Sequence, residues 1–207
     1  MRVRICGKRK MIEEILIAGF GGQGVIFAGR LLSEAAMVEG KQVACSVSYG
    51  PEMRGGTANS SVIISDEPIG SLVVSRPTIA IIMNEPSMVK FEPQVRSGGL
   101  LIINQTLVSS KSGREDVDAI YIPATELATK AGNKAVANLI LLGALVAIKP
   151  ILSASSLVSA LKTILTKEHP GLLALNEKAL DIGLGRGSSL ELVPAGSGGE
   201  KNGHYKD

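Results

Sequence analysis

Short apolar runs bounded by glycine, proline and polar clusters recur along this chain, with stretches of helical period between them. The first run is Ile15–Ala18. The cluster Gly19-Phe20-Gly21-Gly22-Gln23-Gly24 follows at once, and apolar residues then recur at helical spacing from Val25 to about Val38. A second apolar run, Val43 to Val47, leads into Ser48-Tyr49-Gly50-Pro51-Glu52-Met53-Arg54-Gly55-Gly56. The order strand, glycine turn, helix, strand, loop predicts a βαβ unit. Both of its strand ends open into loops able to hold a ligand or a partner.

Thr57–Ser65 reads as a further strand, closed by the turn Asp66–Gly70. The link from the preceding strand is too short for a parallel crossover, so this strand pairs antiparallel or lies at an edge. Ile79–Met83, Leu100–Ile103 and Asp118–Ile122 are compact runs of the kind buried on both faces of a parallel sheet. A short helix is expected over Ser87–Phe91. The ligand crevice of an open α/β sheet lies beyond the carboxyl ends of its strands, and those ends carry Gly19, Tyr49, Asn84 and Asn104. Either asparagine taken singly reads as a turn or helix cap.

Helical spacing returns over Thr125–Ala131, Ala135–Ile148, Ser155–Glu168 and Leu172–Ile182. Ala135–Ile148 is apolar all round, yet shorter than the roughly 20 residues of a membrane span. It belongs in the core or beneath a partner, and Gly143 and Ala144 allow a neighbouring helix to come close. The fold class expected is α/β: a three-layer Rossmann-like open sheet, mostly parallel with at least one antiparallel strand, plus C-terminal helices. Residues 12–184 form the domain. Residues 1–11 are a basic extension, and 185–207 a flexible Gly/Ser-rich tail.

Gly19, Gly21 and Gly24 match the spacing G-x-G-x-x-G between a strand and a helix. The first glycine permits a tight turn, the second a close approach by a ligand or another backbone, and the third close packing of helix on strand. Unpaired N–H groups at the start of the helix favour an anion. The dinucleotide form of the motif needs an acidic residue about 20 positions on. Here that region reads Gln42-Val43-Ala44-Cys45-Ser46. No Gly-Lys-Ser/Thr follows either. The loop is left as a packing turn, a phosphate site or a seat for a partner backbone.

Composition narrows the function. The chain is 45% hydrophobic with a mean hydropathy of +0.26 and only 3% aromatic residues, so its core is aliphatic. Stacking platforms for single-stranded nucleic acid are not available at that aromatic content. The net charge of +3 gathers at the start, in Arg2, Arg4, Lys8, Arg9 and Lys10, with no basic stripe beyond. No signal-peptide pattern is evident, because glycines break the apolar run that follows. Cys6 and Cys45 lie far apart, which excludes a zinc or iron–sulfur site built from this chain alone. They suit a reducing cytoplasm, and Cys45, alternating within a strand, reads as a core thiol. With His169 and His204 the only histidines, no nucleophile–base pair can be assembled. Arg54, beside Glu52 in the distinctive loop, offers a planar fork for a phosphate or carboxylate.

The glycine turn joined to Tyr49-Gly50-Pro51-Glu52-Met53-Arg54-Gly55-Gly56, with Ser65–Gly70, Gly98-Gly99-Leu100 and Gly132-Asn133 through Gly143, closely resembles the gamma subunit of 2-oxoacid:ferredoxin oxidoreductases. The resemblance runs from about residue 12 to about residue 184. It implies an enzyme that oxidatively decarboxylates a 2-oxoacid with coenzyme A, giving acyl-CoA, CO2 and reduced ferredoxin. Thiamine diphosphate, magnesium and iron–sulfur clusters would lie in partner chains, and this chain alone would hold no cofactor and be inactive. Its partners would be alpha and beta subunits, a delta subunit where there is one, and ferredoxin indirectly; neither nucleic acid nor membrane is implied. The cofactor-binding residues would be Gly19, Gly21, Gly22, Gln23, Gly24, Tyr49, Glu52, Arg54, Gly55 and Gly56, on loops that close over coenzyme A, dock beside the thiamine site or touch only partner protein. The loop favours 2-oxoglutarate or a branched-chain 2-oxoacid over pyruvate. The competing reading is a free-standing nucleotide-binding or sensor protein.

Overall fold

The computed structural model describes residues 10–49, 57–168, 170–185 and 193–194. The chain runs β1 (Ile12–Phe20), α1 (Val25–Val38), β2 (Gln42–Tyr49), β3 (Thr57–Ser65), β4 (Ile79–Ile82), α2 (Glu85–Phe91), β5 (Leu100–Asn104) and β6 (Asp118–Ile122). It continues with α3 (Ala124–Ala131), α4 (Ala137–Ile148), α5 (Ala154–Glu168), α6 (Leu173–Gly183) and β7 (Val193–Pro194).

The strand order is β2-β3-β1-β4-β5-β6-β7. β1, β4, β5 and β6 pair parallel, while β3 runs antiparallel to both β1 and β2. The expected three-layer α/β class is the observed one. The βαβ unit takes a different form from the simple one. β1 and β2 are not neighbours, because β3 inserts between them along its whole length, Thr57 opposite Phe20 and Ser65 opposite Ile12. Nor does β3 lie at an edge. Its Val62 and Ile64 are wholly buried and Ile63 nearly so, so both faces of the strand need cover. β2 takes the edge instead.

One face of the sheet carries most of the core. Ile15, Ile17, Ile79, Ile81 and Ile102 pack there against α1, α3, α4, α5 and α6. The other face packs Leu16, Ala18, Ile82 and Ile103 against Met88 and Phe91 of α2. α4 is buried within the core and not beneath a partner, with Leu139–Leu142 fully inaccessible. It meets α6 through two glycines. A Cβ on Gly143 would lie 2.5 Å from the Leu180 carbonyl oxygen, and one on Gly183 would run into that of Ile140. Close helix approach at Gly143 was legible in sequence, but its partner Gly183 was not.

Cys45 is exposed, contrary to its expected place in the core. α1 sits over β3, where Gly29 leaves just enough room for Ser60, and the outer margin of β2 stays uncovered. The tail from residue 185 falls mostly outside the described residues, but Val193 and Pro194 pair antiparallel with Tyr121 and Ile120.

Candidate functional site

The carboxyl ends of β1, β4, β5 and β6 point the same way, and the connections leaving them surround one cavity. The glycine segment is its first wall. Gly19 lies inside β1 and makes no turn. Its missing side chain leaves room for Gln23, whose Oε1 would sit 2.6 Å from a Cβ there. Gln23 folds back across the turn it belongs to. Its Oε1 accepts from the Phe20 N–H at 2.6 Å and from Asn84 Nδ2 at 3.4 Å, and its Nε2 donates to the Met83 carbonyl at 3.2 Å. One side chain thus staples the ends of β1 and β4. Gly24, with φ +72°, sits in the left-handed region that glycine tolerates. Its carbonyl accepts from Asn138 Nδ2 at 3.0 Å, and that asparagine occupies the space a Cβ would need. Gly21 faces open space.

The other walls are pinned in the same manner. Asn84 caps α2, its Oδ1 accepting from the Ser87 N–H at 2.9 Å. Asn104 is fully buried; its Nδ2 donates to Thr125 Oγ1 at 2.8 Å, and its Oδ1 accepts from the Thr125 N–H at 3.3 Å. Both asparagines therefore do structural work at strand ends. Asn133 Oδ1 accepts from the Ala135 N–H at 2.9 Å and so opens the turn that leads into α4.

Together these connections enclose about 390 Å³. Gly22 and Gln23 line one side, buried Met83 supplies an apolar floor and the more exposed Leu107 an apolar lip, and Thr125 and Lys134 contribute a hydroxyl and a cation. That volume suits part of an extended ligand with an apolar stretch and an anionic group better than it suits a whole dinucleotide. Among the described residues no cluster of three or more His, Cys, Asp or Glu side chains is placed to hold a metal ion.

The sequence-derived site residues fall into three groups. Gly22 and Gln23 line the cavity, with Gly19, Gly21 and Gly24 in the same segment. Tyr49 is two-thirds exposed at the end of β2, and register places it opposite Ala58, which faces Gly19. Tyr49 and the glycine segment thus share one end of the sheet about 10 Å apart, two strand spacings. Glu52, Arg54, Gly55 and Gly56 lie outside the described residues. Sequence reasoning missed Met83, Thr125 and Lys134 as lining residues, and Asn138 as the support of the turn. Asn138 did carry a signal, being a lone polar side chain in the apolar run Ala137–Ile148.

A family model for pyruvate ferredoxin/flavodoxin oxidoreductase matches residues 14–185. The chain belongs to this family. Within it the chain is a gamma subunit. It is 38% identical over 173 residues to the 2-oxoglutarate synthase subunit KorC of Methanocaldococcus jannaschii, covering 81% of this chain and 92% of that one. It is 40% identical over 134 residues to the ketoisovalerate oxidoreductase subunit VorA of Methanothermobacter thermautotrophicus, covering 65% of this chain but 28% of that one. Among solved structures, the gamma subunit of a keto/oxoacid ferredoxin oxidoreductase from Geobacter sulfurreducens superposes with a TM-score of 0.75 at 31% identity, covering 84% and 95% of the two chains. The 2-oxoglutarate:ferredoxin oxidoreductase from Magnetococcus marinus, solved with 2-oxoglutarate, coenzyme A and succinyl-CoA bound, shares the fold with a TM-score of 0.78 at 23% identity. It aligns over 91% of this gamma subunit and 33% of that chain. The gamma subunit is thus one part of a 2-oxoacid:ferredoxin oxidoreductase, and among its described residues no helix is long and apolar enough to cross a membrane.

Proposed function

We propose that this gamma subunit serves a cytoplasmic enzyme acting on 2-oxoglutarate or a branched-chain 2-oxoacid in preference to pyruvate, and that it receives coenzyme A at its glycine segment. In that reaction the 2-oxoacid loses CO2 and its acyl group passes to the coenzyme A sulfur. The electron pair released goes to ferredoxin. Alpha and beta partner chains supply thiamine diphosphate, magnesium and iron–sulfur clusters. The substrate preference is supported by the 2-oxoglutarate and ketoisovalerate relatives, which are 36–40% identical where the pyruvate/ketoisovalerate gamma subunits are 27–29% identical.

The observation that carries the coenzyme A assignment is the cavity beside Gly22. It combines an apolar floor with Lys134 at the sheet's carboxyl end, and coenzyme A is a bound ligand of the Magnetococcus marinus enzyme. Gly21 is open to a ligand's approach, and Tyr49, at the same end of the sheet, precedes Glu52 and Arg54 in the sequence. Coenzyme A joins an apolar pantetheine arm to phosphates, which is the pairing those walls offer. Here Lys134 would meet a phosphate as a point charge, and Arg54 would do so through its fork.

Steady-state kinetics of the assembled enzyme test this reading. Lys134→Ala and Arg54→Ala should each raise the KM for coenzyme A about tenfold with little change in the KM for the 2-oxoacid. If both leave it unchanged, the loops touch only protein. The competing reading, a free-standing nucleotide-binding or sensor protein, would require the isolated chain to bind NAD, FAD or a nucleotide tightly, although Gln42–Ser46 has no carboxylate for a ribose.

A further inference from the structure

The two edges of the sheet are treated differently. β6 is partly covered, Val193 and Pro194 of the chain's own tail pairing with Tyr121 and Ile120. β2 ends the sheet on the other side, and among the described residues nothing pairs with its outer edge. All eight of its residues, Gln42–Tyr49, pair in register with β3, leaving an extended strand with no bulge or proline. Edge strands are normally blunted by lysine, proline, a bulge or a covering element. Among the described residues β2 has none of these, and it carries no charged residue, in a chain that is 20% charged.

Its side chains are correspondingly open. On the α1 side Cys45, Val47 and Tyr49 are exposed. On the opposite side Ser46 and Ser48 are exposed beside the half-buried Asn59 and Ser61 of β3, small groups that put no obstacle before an incoming strand.

We propose that the outer edge of β2 receives an extended, uncharged segment of another subunit of the oxidoreductase, adding a strand to this sheet. The open N–H and C=O groups call for main-chain partners, and the lack of charge calls for an uncharged strand. The area decides between another subunit and a second copy of this chain. Eight residues at about 3.4 Å each make an edge about 27 Å long. A strip of that length about 10 Å wide falls well short of the roughly 800 Å² per partner that holds a free-standing pair. It fits one contact inside a larger interface, the situation of a subunit in an assembly.

Co-expression with the alpha and beta subunits tests the proposal. Ser46→Lys/Ser48→Lys places two charges on the edge at exposed positions, so folding of the chain should be preserved, as judged by an unchanged Tm. Recovery of this chain with its partners on size exclusion should fall at least tenfold. Ser159→Lys, at an exposed position on α5, should leave recovery intact. Hydrogen exchange gives an independent reading: those amides of residues 42–49 that point away from β3, every second one along the strand, should exchange at least tenfold more slowly in the complex than in the isolated chain. The proposal is overturned if the double variant assembles normally, or if those amides exchange equally fast in both states. It is also overturned if the isolated chain dimerises and a Cys45–Cys45 crosslink forms readily, which would give the edge to a second copy.

Discussion

Asn138 and Gly24 meet where α4 passes beneath the glycine turn, and each fixes what the other can be. Gly24 is in the left-handed region, and a Cβ there would strike the Asn138 amide. Gly24→Ala should therefore cost about 2 kcal/mol or more, part from backbone strain and part from overpacking. Gly21→Ala should change stability by less than about 0.5 kcal/mol, because nothing lies within 4 Å of its added methyl. Urea denaturation of the two variants checks the contrast. The same pair separates packing from binding: any effect of Gly21→Ala should appear in the KM for coenzyme A and not in the unfolding midpoint. Asn138→Ala removes the donor to the Gly24 carbonyl and should destabilise by about 1–2 kcal/mol. These constraints explain why three glycines at one spacing do three different jobs, only one of which faces outward.

Among the elements, α4 and α6 are held together by what they lack. Gly143 and Gly183 let each helix rest on the other's backbone, so Gly183→Ala should push them apart at a cost of about 1–3 kcal/mol, visible as a lower Tm. The connection after β5 is held by polar clasps. The Glu85 carboxylate accepts from the N–H and hydroxyl of Ser109 and of Ser110, and the hydrogen bond from the Ser110 hydroxyl is the main cause of its lowered pKa. Further on, Ser112 Oγ and the Gly113 N–H donate to Glu92 at 2.5 and 3.0 Å. Arg114 forks onto Asp116 with bonds of 2.8 and 2.6 Å, and holds that carboxyl down at about 2. A depressed carboxylate pKa contributes order above its unfolded value, near 3.8, and loses it as pH falls through the folded one. Hydrogen exchange over residues 109–116 should accordingly stay slow down to about pH 4 and, corrected for intrinsic rates, speed up toward pH 2. Glu85→Gln should loosen residues 109 and 110 already at neutral pH. Leu107, in the same connection, lines the cavity, so the clasp also sets one lip of the site.

For the whole molecule, the described residues present a cavity and an open sheet edge, and no group of three or more His, Cys, Asp or Glu side chains among them is placed to hold a metal ion. The purified chain should show no 2-oxoacid-dependent reduction of ferredoxin, and activity should appear when the alpha and beta chains are added. Turnover by the isolated chain would contradict the assignment of the chemistry to its partners. Much of this was legible beforehand. Ile15–Ala18, Ile79–Met83, Leu100–Ile103 and Asp118–Ile122 were recognisable as strands because parallel strands buried on both faces need continuous apolar runs. The all-round apolar helix was equally plain. Cys45 was misjudged because alternation tells which side of a strand a residue occupies, not whether a helix covers that position. The cavity was half visible. Gly22 and Gln23 belong to a local motif, but Met83 follows β4, Thr125 follows β6 and Lys134 lies between α3 and α4, with no spacing that joins them.

The order of residues by itself determined the elements, the aliphatic core, the glycine turn and the family, since each rests on local periodicity or on contiguous motif residues. Only the tertiary structure decided that β3 separates β1 from β2, that β2 is the open edge, that α4 is covered by α6, and that Gln23 and Asn138 hold the turn. Those facts depend on contacts between residues as many as 114 positions apart, as Asn138 is from Gly24, and local patterning is blind to such partners until the sheet is assembled.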